Sequence, residues 1–282
     1  MTRHSLRLPM ALIICSYLAA VASGLLLNRL YPPKITEDIK MLPNSHIMKL
    51  MSLGNSGFVA DMLFAEVNIH SGSLMWKPLR IKFNSAWAFK AMDVITDLDP
   101  KYLTAYLFTG MGCIHAFSDA KLARPILEKG MVNLPDNWEI PYWIGYDYFN
   151  YLRDDKTAAH FFMIAAKRPG APQNFLAMLL TTSRHGGEYG KAIWAMERML
   201  KSTKNKALQI IYAKKLADLK NLYIMQRAAK KYKAVNNRFP AKLSDLVGAG
   251  FLKKIPEAPG ELVYFWDKSK EMVTQKINPP RQ

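Results

Sequence analysis

The sequence predicts an all-α protein: a solenoid of helical hairpins behind an N-terminal transmembrane helix, closed by a small C-terminal helix and β-hairpin. Three observations carry that prediction. A small-large-small rhythm of side chains recurs about every thirty-five residues, a twenty-residue run without charge opens the chain, and near the C-terminus the apolar spacing changes from helical to alternating.

The opening segment comes first. MTRHSLR, residues 1–7, carries Arg3, Arg7 and the amino group, and LPMALIICSYLAAVASGLLL from Leu8 to Leu27 contains no charge. That length matches a helix crossing a hydrocarbon core of about 30 Å. Positive charge before the span and mixed signs after it (Arg29, Lys34, Glu37, Asp38, Lys40) predict a signal anchor over 8–28, with the N-terminus in the cytoplasm and the body in the periplasm of a bacterial inner membrane. A cleaved signal peptide is the rival, through the small-x-small triplet Ala20-Val21-Ala22, but the apolar run continues to Leu27 beyond it. Cys15 follows LII, which disfavours lipoprotein processing. Residues 29–54, with YPPKITEDIKMLPNS, read as a linker.

The repeat occupies 55–203. Ala88, Met92, Ile95 and Pro100 recur as Ala123, Leu127, Gly130 and Pro135, then as Ala158, Phe162 and Ala165, then as Ala192, Met196 and Met199. Spacings of four and three place these side chains on one helical face. Gly110 recurs as Gly145 in the partner helix, where a glycine lets two backbones approach. Each unit is therefore helix, turn, helix, and the first unit has an extended connection through SGSLMWKPL.

On these residues the chain resembles the tetratricopeptide repeat family. GGEYGKAIWAMERML carries the family's turn in Gly187, Glu188, Tyr189, Ala192 and Ile193; PYWIGYDYF with RDDKTAAHFFMIAA is a second copy with a longer turn, and weaker copies precede it. The resemblance implies a groove-bearing scaffold that binds protein partners. Residues 204–236 read as a capping helix or helix pair, needed because an open solenoid end exposes apolar surface. Within 237–282, a short helix is expected after Pro240, and LVYFW, DKSK and EMVTQ form a hairpin. This tail is similar to the soluble end of type II secretion pseudopilins, without that family's processed N-terminal helix.

The net charge of +17 is concentrated: Lys201 to Lys254 holds fourteen Lys or Arg against Asp218 and Asp245. This block is open to anionic lipid or an acidic partner, or is a solvated helix face beside an anionic bilayer. Nucleic acid is an improbable partner, since Tyr212, Tyr223 and Tyr232 scatter around a helix.

No site for catalysis, metal or cofactor is legible. The histidines lie in separate segments, with no HExxH and no Cys/His pair at ligand spacing; Cys15 and Cys113 are the two cysteines; GxSxG, GxxxxGK[ST] and CxxCH are absent. Asp93, Asp97 and Asp99, and Asp154 with Asp155, read as solvated turns. The predicted function is a non-enzymatic scaffold, with a component of a type IV pilus or type II secretion-like assembly as the alternative. Its groove is expected at Tyr142, Tyr146, Phe149 and Asn150, then Met111 and His115, then Thr181 and His185, register-matched on three successive first helices. Alanine at both Tyr142 and Tyr146 is expected to weaken partner capture and leave melting unchanged.

Overall fold

The computed structural model describes Ser16, Ser23 and residues 42–75, 84–112 and 120–277. The expected anchor, and with it residues 1–7, lie outside these, apart from Ser16 and Ser23. Among the described residues no helix is long and apolar enough to cross a membrane. The chain divides into two compact units, Met1–Val94 and Ile95–Gln282.

In the first unit, α1 (Ser45–Met51) and α2 (Ser56–Met75) precede α3 (Ser85–Leu98), whose last residues begin the second unit. Of the expected linker, 29–54, only residues 42–54 are described. There Asn44 accepts the Ile47 amide at 2.9 Å and caps α1. Of the expected extended connection SGSLMWKPL, the residues Ser71–Met75 belong to α2, and the rest lies outside the described residues. His70 on α2 is buried, with its ring 5.2 Å from Trp87 on α3.

The second unit runs through α4 (Leu103–Gly112), α5 (Ala120–Asn133), α6 (Glu139–Asn150), α7 (Asp155–Lys167), a 3-10 turn (Gln173–Phe175), α8 (Leu176–His185) and α9 (Tyr189–Ser202). Consecutive helices pack as hairpins, α4 on α5, α6 on α7, α8 on α9, with α7 also against α8. The starts are encoded locally. Asn137 accepts the amides of Glu139 and Ile140 to open α6, and Asp154 accepts the Thr157 amide to open α7. The recurring rhythm is buried in each unit: Ala88 and Met92 in the first, Ile95, Ala123, Leu127, Gly130, Ala158, Phe162, Ala165, Ala192 and Met196 in the second, where Met199 is partly exposed.

Glycine is required where the rhythm meets a large neighbour. A Cβ at Gly130 would stand 2.6 Å from the ring of Tyr106, which is wholly buried and hydrogen-bonded to Pro100 and Asn133. At Gly145 it would stand 2.9 Å from Phe162, and at Gly110 2.7 Å from the Cβ of Trp143. The matched glycines thus serve different contacts, one within its own hairpin and one against the next.

Then α10 forms one continuous helix, Lys206–Asn236, resolving the helix-or-pair alternative, and ends at Asn237 in the left-handed conformation (φ 54°). The tail follows as α11 (Leu243–Gly248), β1 (Leu262–Asp267) and β2 (Met272–Ile277), an antiparallel pair with Tyr264 opposite Gln275 and Trp266 opposite Val273. The boundary expected at 236/237 does not separate two packing units. Trp266, Met272, Val273, Leu243 and Leu246 share one core with Leu222 and Met225 of α10 and Tyr189, Ala192 and Met196 of α9.

Polar contacts fix this docking. Buried Gln226 of α10 donates to the Glu271 carbonyl (3.2 Å) and accepts the Val273 amide (2.8 Å), treating β2 as a strand partner would. The Tyr189 hydroxyl donates to the Val273 carbonyl, and burial raises its pKa. Tyr264 donates to Asp218 at 2.6 Å; burial first, then this acceptor, push its hydroxyl up to about 12. Replacing Gln226 by leucine leaves the Val273 amide buried without an acceptor. We expect a loss of about 2 kcal/mol in urea unfolding, and chemical-shift changes centred on Glu271–Val273.

Candidate functional site

The expected groove residues lie on α4, α6 and α8, the first helices of three successive hairpins. Met111, Tyr146 and Thr181 occupy one register, Asn150 and His185 the next, with His115 outside the described residues. Met111, Thr181 and His185 are exposed, and Asn150 is half-buried with its amide donated to the Tyr146 carbonyl (3.2 Å). Thr181 donates to the Ala177 carbonyl (3.0 Å), and the His185 ring stands 4.0 Å from Asp155 at the start of α7. The second register therefore presents polar atoms at helix C-termini.

Tyr142, Tyr146 and Phe149 behave differently. All three are half-buried and pack on the core cluster of Phe162, Phe175 and Leu179. Tyr142 is the hub: ring centroids of Trp138, Trp143, Tyr146, Phe162 and Phe175 lie 5.4 to 6.2 Å from its own. Burial raises its hydroxyl above the ordinary phenol range, with Tyr146 adding to the effect. The reason is size, because a tyrosine at this register is long enough to reach the entry of the following hairpin at Phe175. Unchanged melting for alanine at both positions is therefore no longer the expected result. Instead, Tyr142→Ala is expected to cost about 2 kcal/mol through the cavity it leaves, and Tyr142→Phe to be nearly neutral, both measured by thermal unfolding. Elsewhere in the aromatic segment Ile144 and Gly145 are buried, Tyr148 stacks on Phe161, Trp143 meets α4 at Gly110, and Tyr151 is exposed.

On α8, Thr181 and His185 join Leu180, Arg184, Met196, Lys215 and Asp218 around a hollow of about 210 Å³. Arg184 donates to the Gln275 side chain (2.6 Å), and Gln275 donates in turn to Asp218. Two cations, one anion already engaged by Tyr264 and Gln275, and a histidine give this hollow a positive balance. Arg184, Lys215 and Asp218 escape a reading of the sequence; the hairpin residue Gln275 that bonds Arg184 and Asp218 stands ninety-one residues from Arg184. A local signal does exist for Arg184, which directly precedes His185.

Asp147 escapes it too. It is 5 % exposed, with Oδ1 lacking a hydrogen-bond partner, and burial pushes its carboxyl up to about 7. The signal is present: Asp147 stands seven residues after Ile140 and three after Ile144, on the buried stripe of α6.

Two of the carboxylates expected in solvated turns make structural contacts. Asp97 pairs with Lys129 at 2.7 Å, and Asp154 caps α7. Among the described residues no group of three or more His, Cys, Asp or Glu is placed to hold a metal ion. No protein-family model matches the chain, and no curated protein and no solved structure matches it significantly.

Proposed function

We propose that this chain is a membrane-anchored, non-enzymatic scaffold of the tetratricopeptide type, holding a protein partner at the periplasmic face of a bacterial inner membrane. The observation that carries this reading is the register of Met111, Tyr146 and Thr181, with Asn150 and His185 beside them, on three consecutive first helices. A side-chain ladder of that pitch is suited to an extended segment or a helix of a partner. The aromatic cluster around Tyr142 stiffens the wall, and the exposed polar residues and the positive hollow at Arg184 and Lys215 supply its contacts. The uncharged Leu8–Leu27 run would tether the scaffold to the bilayer, and the basic block of 201–254 would face anionic lipid or an acidic partner.

Because Thr181 and His185 are exposed, their replacement separates binding from folding. The double change Thr181→Ala, His185→Ala is expected to weaken capture about tenfold, equivalent to about 1.4 kcal/mol, while the melting curve stays within about 0.5 kcal/mol of the parent. Quantitative pull-down from native membranes measures it, and undiminished capture by the folded variant would sink the assignment of this face.

A second reading, a pilus or secretion-type assembly component, is favoured by one observation. The long α10 packs on a short helix and a β-hairpin as a single core. Deleting 236–282 cannot separate the readings, since it strips that core. Substitutions at exposed tail positions such as Lys253, Lys254 and Ile255 can: an assembly component loses its envelope partner through them, and a groove scaffold keeps it.

A further inference from the structure

In the first unit, α2 carries two apolar stripes. Ala60, Leu63, Val67 and His70 are buried; Phe58, Met62, Ala65 and Ile69, at spacings of four, three and four, run along the opposite side exposed. At the turn between α1 and α2, exposed Leu50 and Met51 extend this stripe, and Leu53 at the tip is 89 % exposed. From Leu50 to Ala60 there is no charge. An apolar projection of this size marks an interaction surface rather than ordinary solvent-facing side chains.

We propose that the α1–α2 tip inserts into the headgroup and upper acyl region of the bilayer, a lipid contact that rests on the membrane-anchored reading above. Three features favour lipid over a protein neighbour. The tip is a pointed turn, most exposed at its apex. Its backbone is closed only in part from within: the Ser52 amide bonds to the Met48 carbonyl (3.0 Å), Leu53 to Leu50 (3.3 Å) and Asn55 to Ser52 (2.8 Å), and the Ser52 hydroxyl donates to the Lys49 carbonyl (2.7 Å). The Gly54, Ser56, Gly57 and Phe58 amides, at the tip and the α2 N-terminus, are left open there, and headgroup phosphate oxygens are acceptors suited to them. Finally, the chain reaching Leu42 comes from the uncharged Leu8–Leu27 run, so a short tether holds the tip at high effective concentration beside the surface where that run would insert. Lys49 and His46, just before the tip, are suited to lipid phosphates.

Leu53 also supplies a clean variant. Its φ of 47° is left-handed, a conformation that asparagine tolerates better than leucine, so Leu53→Asn removes the apolar apex without opposing the turn. A side chain added at Gly57 would meet only open space, so this position takes a probe. The full chain carrying Cys15→Ser, Cys113→Ser and Gly57→Cys, labelled there with an environment-sensitive fluorophore, is reconstituted into vesicles of phosphatidylethanolamine and phosphatidylglycerol containing nitroxide lipid. We expect quenching several-fold stronger than for the same label at Lys206→Cys, and its loss in Leu53→Asn, Phe58→Gln with melting unchanged. A label open to aqueous iodide and untouched by nitroxide lipid overturns the proposal. A label shielded from iodide but insensitive to nitroxide lipid overturns it too, and assigns the stripe to a protein. Carbonate extraction separates the two claims. Protein retained with an unquenched tip keeps the anchor and rejects the insertion, and protein released while its tip is quenched in vesicles does the reverse.

Discussion

Asp147→Asn is expected to remove a loss of stability that the parent chain suffers as pH rises from about 4 to about 8. The folded carboxyl titrates near 7, against an ordinary 3.8, because burial disfavours its charged form and Oδ1 has no donor. A folded pKa raised above the unfolded value gives full stability below the unfolded pKa. That stability is lost as the pH climbs toward the folded one, since the unfolded chain releases its proton first. The loss is on the order of 4 kcal/mol. Asparagine keeps the shape and cannot ionise. Urea unfolding of both proteins across this range isolates the effect, because every other titrating group is common to them. The difference should be flat below about pH 4, grow in favour of the variant up to about pH 7, and level off above; parallel curves would show that the carboxyl finds a partner or solvent.

The second large effect is expected at the turn of the last hairpin. A Cβ on Gly186 would stand 2.9 Å from the backbone N and Cα of Lys156 and 3.1 Å from the carbonyl carbon of Asp155. Backbone at the start of α7 cannot swing aside as a side-chain end can, so Gly186→Val must push α7 and α8 apart. We expect a loss of about 3 kcal/mol or more. Gly190, four residues on, is the control: its nearest neighbour is the ring of Tyr223 at 3.5 Å, ordinary contact, and alanine there should be neutral or gain up to about 1 kcal/mol. Chemical unfolding of the pair checks both, and equal effects would mean that the close approach is not what the glycine serves.

These two positions also show what can be read from the chain. The buried rhythm from Ala88 to Met196 is legible because a hairpin repeat needs small and large residues at fixed positions, and spacing alone reveals it. At Gly186-Gly187 the family pattern puts the turn at Gly187, which does take the left-handed conformation (φ 69°), and passes over Gly186, whose constraint comes from a helix thirty residues upstream. Tyr142 and Tyr146 share the register of the expected groove but are large enough to reach the core cluster, which spacing alone does not reveal. The tail's elements are legible from alternation, whereas its docking is not. Gln226 with Val273, Tyr189 with Val273 and Arg184 with Gln275 join positions separated by forty-seven, eighty-four and ninety-one residues, and no local pattern announces such pairs.

The scaffold reading turns on whether the first-helix face touches a protein. A photo-crosslinking residue at Thr181, on that face, can be compared in native membranes with one at exposed His160 on the second helix α7. A groove scaffold gives discrete protein adducts from Thr181 and few or none from His160. Equal labelling from both positions, or none from Thr181 while the chain remains folded and membrane-bound, would contradict it.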